Sequence, residues 1–149
     1  MNEQSNNRSG PGNASYFNEK GYANLTEHLT LTSIKKGERI FRPLVYIASP
    51  YSSDVGRNTK RARKYCRFAV QQNAIPFAPH LLLPQYMNDE NEEERELVFF
   101  MNMVFLGKCS QLWVFGSKIT EGMQREIDWA TKRQKSIRYF TEEMQEVKV

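Results

Sequence analysis

Four short apolar segments, separated by stretches with helical periodicity, constrain the fold of this chain most strongly. They are residues 44–48, 75–78, 111–115 and 136–140, and their length and composition are typical of buried strands. Because one helical stretch separates the first two strands, we expect a βαβ unit with parallel pairing. The alternation predicts an α/β fold, a small flavodoxin- or Rossmann-like parallel sheet of four to five strands with helices on both faces.

The segments between the strands predict helices at about residues 57–73, 89–108 and 120–134. A short final helix is expected after a cap at residues 141–143. Residues 97–106 are apolar nearly all round and are interrupted only by Asn102. A helix without a polar face is expected to be buried on two sides. We therefore expect a homo-oligomer, with a dimer formed through the 97–106 helix.

The first forty residues differ in composition from the rest of the chain. Asn, Ser, Gly and Pro dominate the first fifteen positions, so residues 1–40 are predicted to form a disordered or loosely docked tail. Residues 41–149 are predicted to form the α/β domain. Tail aromatics could dock on the domain or on a partner, which leaves an interaction protein as one interpretation.

The net charge, the hydropathy and the cysteine spacing argue against several kinds of function. The net charge of +4 is too small to indicate nucleic-acid binding, and the basic run at 57–67 is interpreted mainly as a solvated helix face. No signal peptide and no apolar run of about 18–20 residues is present, so we expect no membrane partner and a cytoplasmic location. The two cysteines lack a metal-binding spacing, so neither a metal nor a cofactor is expected.

Glu126 is the acid that the local pattern does not explain. It shares a helical stripe with Met123, Ile127 and Ala130, and no base lies three or four residues away to pair with it. A buried carboxylate without a partner is costly. Either the side chain lies at the rim of the helix face and stays hydrated, or it points into a cleft at the carboxyl end of a strand, where open α/β sheets bind ligands.

Three loops are expected to meet above the sheet, at 49–56, 79–88 and 116–122. Hydroxyl groups and backbone amides at helix starts form anion sites. Thr120 and Gly122 could receive a phosphate, and Arg57 could reach the same cleft. His80 is either a ligand contact or a turn cap. The candidate binding residues in these loops are Ser49, Tyr51, Ser52, Arg57, His80, Ser117, Thr120 and Gly122.

Two segments carry a further signal, Val-Tyr-Ile-Ala-Ser-Pro-Tyr at 45–51 and Thr-Glu-Gly-Met-Gln-Arg-Glu-Ile at 120–127. With them, residues 43–140 resemble the nucleoside 2-deoxyribosyltransferase superfamily. The segment 45–51 resembles its first strand and loop, and 102–140 resembles the deoxynucleoside 5′-monophosphate N-glycosidase branch. Residues 120–127 resemble the pattern Ser/Thr-x-Gly-x-x-x-Glu-hydrophobic. The chain is closer still to an uncharacterised branch of bacteria, phages and mobile elements, with which it shares Ala-Pro-His-Leu, Leu-Trp-Val-Phe-Gly and Glu-Gly-Met.

The resemblance implies N-glycosidic bond cleavage or transfer on a nucleoside or nucleotide. Glu126 would be the nucleophile that attacks the anomeric carbon and forms a glycosyl-enzyme ester, as in retaining glycosidases. Thr120 would contact phosphate, and the 49–53 loop would hold sugar and phosphate. Met123, within the shared Glu-Gly-Met phrase, joins the candidate substrate-binding residues.

Asn102 departs from the family pattern, which usually has an Asp at this position to position or protonate the leaving base. An amide can hydrogen-bond a base but cannot donate a proton as a general acid. Either His80 or Asp54 serves instead, or catalysis is poor, or the site only binds. The alternative function is therefore a non-catalytic module that binds a nucleotide or sequesters a nucleotide signal.

Overall fold

The α/β architecture predicted from the sequence is present in the computed structural model, which describes residues 41–149. The predicted tail, residues 1–40, lies outside the described residues. The strands are β1 (Leu44–Ala48), β2 (Ile75–Phe77), β3 (Gln111–Phe115), β4 (Ser136–Phe140) and β5 (Glu146–Val147). The helices are α1 (Val55–Gln71), α2 (Glu92–Lys108) and α3 (Glu121–Lys132), with short 3-10 helices at Pro79–Leu81 and Leu83–Gln85.

The five strands form one sheet in the order β2-β1-β3-β4-β5. The first four strands are parallel, and β5 pairs antiparallel with β4. The two central strands, β1 and β3, are almost wholly buried. Helix α1 covers one face of the sheet, and α2 and α3 cover the other. The predicted fold class, a small parallel α/β sheet with helices on both faces, is confirmed.

The chain after β4 forms a turn and the edge strand β5, so the predicted final helix is wrong. Met144 has a left-handed backbone with φ of 63°, which does not continue a helix. The Arg138 guanidinium donates to both carboxylate oxygens of Glu146 at 2.8 Å. This two-bond ion pair joins neighbouring strands and favours the pairing of β5 with β4.

Side-chain caps set the helix starts. The Asp54 carboxylate accepts from the backbone N–H of Arg57, which starts α1 two residues before the predicted position. Asn91 accepts from the first-turn amides of Glu93 and Glu94. Thr120 caps α3 in the same way. Each cap satisfies amides that have no partner within the helix.

Helix α2 is buried on one side only within the described chain. Asn102, Met103 and Leu106 face the sheet, while Leu97, Phe100 and Val104 are exposed. The second buried side expected from the sequence is therefore not supplied by residues 41–149. Among these residues, no helix combines the length and apolar character needed to cross a membrane.

Candidate functional site

The Glu126 side chain is buried, with 5 % of its surface exposed. Helix α3 buries the stripe that also carries Met123, Ile127 and Ala130. Because the three apolar side chains pack into the core, the carboxylate between them is carried under the helix as well. The interpretation that Glu126 lies hydrated at the rim of the helix face is wrong.

Tyr46 is the hydrogen-bond partner of this carboxylate. From the middle of β1, its hydroxyl group donates to Oε1 of Glu126 at 2.7 Å. The two residues are 80 positions apart in the chain, so helix periodicity did not reveal the pair. One signal was available in the sequence, because a tyrosine in a fully buried strand needs a partner for its hydroxyl group.

Burial sets the electrostatics of the pair. It raises the pKa of Glu126 to about 7, against the smaller opposite effect of the Tyr46 hydrogen bond. It also raises the pKa of Tyr46 well above its usual value, and the nearby Glu126 carboxylate adds to that rise. The ion pairs within residues 41–149 do not include Glu126. Near neutral pH this carboxyl group can therefore exist in both forms, a property common among catalytic acids, bases and nucleophiles.

Two other buried polar atoms have no hydrogen-bond partner among the described residues. They are Oγ of Ser49, just after β1, and Oδ1 of Asn102 on α2. Asn102 and Glu126 lie on the two helices that pack on the same face of the sheet. Buried polar atoms are usually hydrogen-bonded, so each of these atoms lacks a partner that an internal water molecule or a ligand group could supply.

His80 holds the loop that follows β1. Its Nε2 lies 3.1 Å from the backbone carbonyl of Ser49, and its ring stacks on Tyr51 with centroids 4.8 Å apart. A carbonyl only accepts, so Nε2 carries the proton in this contact. Burial lowers the pKa of His80, which favours the neutral ring. His80 therefore orders the loop, and its N–H is not free to protonate a leaving base.

Asn58 is a second residue that holds this loop and that the sequence reasoning missed. It is buried on the stripe of α1 that also carries Ala62 and Tyr65. Its Nδ2 donates to the carbonyl of Tyr51 at 3.0 Å and to the hydroxyl oxygen of Ser53 at 3.1 Å. An asparagine on an otherwise apolar stripe is the signal that could have found it.

The loop after β3 approaches the loop after β1. Gly116 has φ of 100°, a conformation that glycine adopts readily, and a Cβ atom there would lie in ordinary van der Waals contact with the Pro50 ring, at 3.8 Å. Further on, Thr120 Oγ1 accepts from the N–H of Met123 at 3.3 Å. A Cβ atom at Gly122 would meet only Thr120 Oγ1, at 4.0 Å, so the space before the first turn of α3 is open.

The remaining candidate residues are less closely associated with this centre. Ser52, Arg57 and Ser117 are exposed. The Met123 side chain lies in the hydrophobic core, where packing alone explains it. Asp54 uses its carboxylate to cap α1, which argues against it as the proton donor that replaces the missing acid. Within residues 41–149, no group of three or more His, Cys, Asp or Glu side chains could hold a metal ion.

The comparison with known families covers the whole of this site. Residues 43–140 match the family model described as a domain of unknown function (DUF7768). The match begins just before β1 and ends with β4, so it includes every candidate residue named above. No curated protein matches the chain. The family description names no activity, and the chemistry of the site is what indicates a function.

Proposed function

This chain belongs to the DUF7768 family, and we propose that it cleaves or transfers the N-glycosidic bond of a nucleoside or nucleotide. The observation that carries the proposal is the buried Glu126 carboxyl group, which receives a hydrogen bond from the Tyr46 hydroxyl at 2.7 Å. The resemblance to nucleoside 2-deoxyribosyltransferases, in which the matching Glu is the nucleophile, supports the same role.

The proposed reaction uses the two oxygens of Glu126 differently. Tyr46 binds Oε1, and Oε2 receives no hydrogen bond from the other described residues. In the proposed first step, Oε2 attacks the anomeric carbon, a C–O bond forms, and the C–N bond breaks with its electron pair leaving on the base. The base then takes a proton from water. Water or a second base next attacks the anomeric carbon of the ester and releases the Glu126 carboxylate.

The surrounding groups have separate proposed roles. The open N-terminus of α3 at Thr120 and Gly122 offers backbone amides and the helix dipole to a phosphate. The loop that His80 and Asn58 hold in place would contact the sugar through Ser49 and Tyr51. Exposed side chains such as Arg57 and Ser117 would contribute at the mouth of the site.

Asn102 is the proposed contact for the base. Its buried Oδ1 has no partner among residues 41–149, so it can accept a hydrogen bond from a ring N–H or an exocyclic amino group. It cannot protonate the leaving base, and His80 and Asp54 are committed to other contacts. We therefore expect leaving bases that depart without general-acid help to be favoured.

A second candidate function is a module that binds a nucleotide, or sequesters a nucleotide signal, without cleaving it. Two observations favour it. The Asn102 amide supplies no acid, and a pKa of about 7 for Glu126 leaves much of the carboxyl group protonated at neutral pH, where it is a poor nucleophile. Both candidate functions require a small-molecule nucleoside or nucleotide as the ligand. The cytoplasmic location expected from the sequence stays a prediction.

The decisive experiment measures base release from a panel of nucleosides and nucleotides. We expect Glu126→Gln to lower the rate roughly a thousand-fold or more, as loss of a nucleophile does. Wild-type activity should rise with pH through about 7, because the ionised form of Glu126 attacks. The matched control is Asp128→Asn, which alters an exposed carboxylate on the same helix, away from its N-terminus, and should leave the rate unchanged.

Two outcomes separate the candidates. Release of base by Glu126→Gln at the wild-type rate would exclude the catalytic role. If wild type and Glu126→Gln both bind a nucleotide that mass spectrometry recovers intact, the protein is the binding module instead. Asn102→Asp adds a further test, because restoring an acid beside the base should raise turnover only if the site is catalytic.

A further inference from the structure

Helix α2 carries an exposed apolar seam, which we define as Leu97, Phe100 and Val104. These side chains are 50, 64 and 47 % exposed, and their spacing of three and then four residues places them along one line of the helix. This is the spacing of an interhelical seam in a coiled coil. Three neighbouring large apolar side chains left in water form the kind of patch that marks a docking surface.

A groove runs beside the seam between α2 and α3. Its volume is about 790 Å³, and Phe100 and Val104 of the seam line it together with Met103 and Trp129. The Arg133 guanidinium lies 3.8 Å from the Trp129 ring centroid. The apolar surface of the seam therefore continues sideways into the groove, with cationic groups along the border.

The charges near the seam are separated along the helix. Four acids, Glu92, Glu93, Glu94 and Glu96, outnumber the two bases at its beginning. Of these bases, Arg95 donates to the Asp89 carbonyl and Arg125 of α3 pairs with Glu96. Basic residues surround its end, at Lys108, Arg133 and Lys135, all of which line the groove. The 17-residue helix is about 25 Å long, so the two groups of charges are well apart within one chain. A partner that matches this surface needs an apolar centre, a basic end that faces the beginning of α2 and an acidic end that faces the end of α2.

We propose that this partner is a second copy of the chain, packed with its α2 antiparallel to the first. A two-fold axis between Phe100 and Met101 places Leu97 opposite Val104 and Glu93 opposite Lys108. The same surface then serves both copies, as two-fold symmetry requires. A parallel arrangement would bring acidic ends together and basic ends together, which costs free energy. The proposal is independent of the proposed catalytic role of Glu126.

Sedimentation of the 149-residue chain tests whether the apolar seam forms a dimer interface. We expect a dimer at micromolar concentrations, and Phe100→Glu should raise its dissociation constant by about 30-fold or more, as loss of a central aromatic contact does. The control is Ile119→Glu, which changes an exposed apolar side chain outside α2. A monomer at concentrations of about 100 μM, or equal effects of the two variants, would overturn the proposal.

The antiparallel register is tested by reversing charges. Glu93→Lys and Lys108→Glu alone should each weaken the dimer by about 3- to 10-fold, the scale of exposed ion pairs turned repulsive. The double variant should regain wild-type affinity within about two-fold, because the pair is restored with opposite sign. Both side chains are exposed, so the fold should persist, but each reversal opposes the dipole of α2 and should cost about 0.3–1 kcal/mol. Urea denaturation of each variant measures this cost separately from dimer dissociation. A double variant as weak as the product of the single effects would refute this register.

Discussion

The two faces of the sheet bury different kinds of side chain. Under α1, Phe115 stacks between Tyr65 and Phe140 with ring centroids 4.3 and 4.8 Å away. Under α2 and α3, the sheet meets a carboxyl group, a phenol hydroxyl and an amide, from Glu126, Tyr46 and Asn102. Both faces therefore gain stability from apolar and aromatic contacts, but the face under α2 and α3 also carries the cost of removing these polar groups from water.

This difference indicates which face of the sheet carries a functional site. A stacked aromatic face is explained by packing, and nothing in it needs a ligand. A buried carboxyl group with one hydrogen bond and an amide oxygen with none are not explained by packing, because apolar residues would be more stable there. Proteins keep such destabilising buried polar groups mainly at functional sites.

The largest expected effect is on the aromatic face. Phe115→Ala removes a fully buried ring and should lower the free energy of unfolding by about 3–5 kcal/mol, measured by urea denaturation. Leu82→Ala is the control on a partly exposed side chain and should cost less than about 1 kcal/mol. If the two losses were equal, the aromatic stack would not be a main source of stability on this face of the sheet.

The fold was predictable because it depends on local patterns. Residues 44–48, 111–115 and 136–140 are strands with the predicted bounds, since their apolar composition follows from burial within a parallel sheet. Strand β5 was missed because it depends on Arg138 contacting Glu146 across the sheet edge. Such a contact leaves no periodic signal in a segment of only two paired residues.

The second prediction concerns the pH dependence of the polar face. Glu126 has a pKa of about 7 in the folded chain and about 4.3 when unfolded. Between these values the folded state binds the extra proton, so stability falls as pH rises. Relative to Glu126→Gln, the wild-type free energy of unfolding should fall by about 3 kcal/mol between pH 4.5 and 8.

Urea denaturation of both proteins across that pH range measures this difference, because titrations common to the two proteins cancel. The stabilising effect of the protonated group is complete below the unfolded pKa and is lost through the folded one. If the free energies of unfolding of wild type and Glu126→Gln changed in parallel with pH, Glu126 would titrate as in the unfolded chain. The face under α2 and α3 would then hold no carboxyl group with a raised pKa. Asp128→Asn is again the control, since that side chain is exposed.

The candidate site was only half predictable for a related physical reason. Glu126 could be identified from its own helix, because no neighbour along α3 explained it. Tyr46 and Asn58 could not, since each acts on groups of another element: Tyr46 on a residue 80 positions away, and Asn58 on the loop before its helix. Sequence reasoning finds groups that lack a local partner, and the fold is needed to say which distant group supplies one.

The smallest expected effect comes from Tyr46→Phe, which removes the hydroxyl group and keeps the buried ring. The Tyr46 hydrogen bond lowers the pKa of Glu126, so its loss should raise that pKa above about 7 and cost about 1–2 kcal/mol of stability at pH 8. In acid the cost should be smaller, because a protonated Glu126 loses a weaker hydrogen bond. Denaturation at pH 5 and pH 8 separates the two values. If the loss were the same at both, the hydroxyl group would stabilise the fold without acting on the carboxylate, and the pair would not be the coupled centre that distinguishes this face of the sheet.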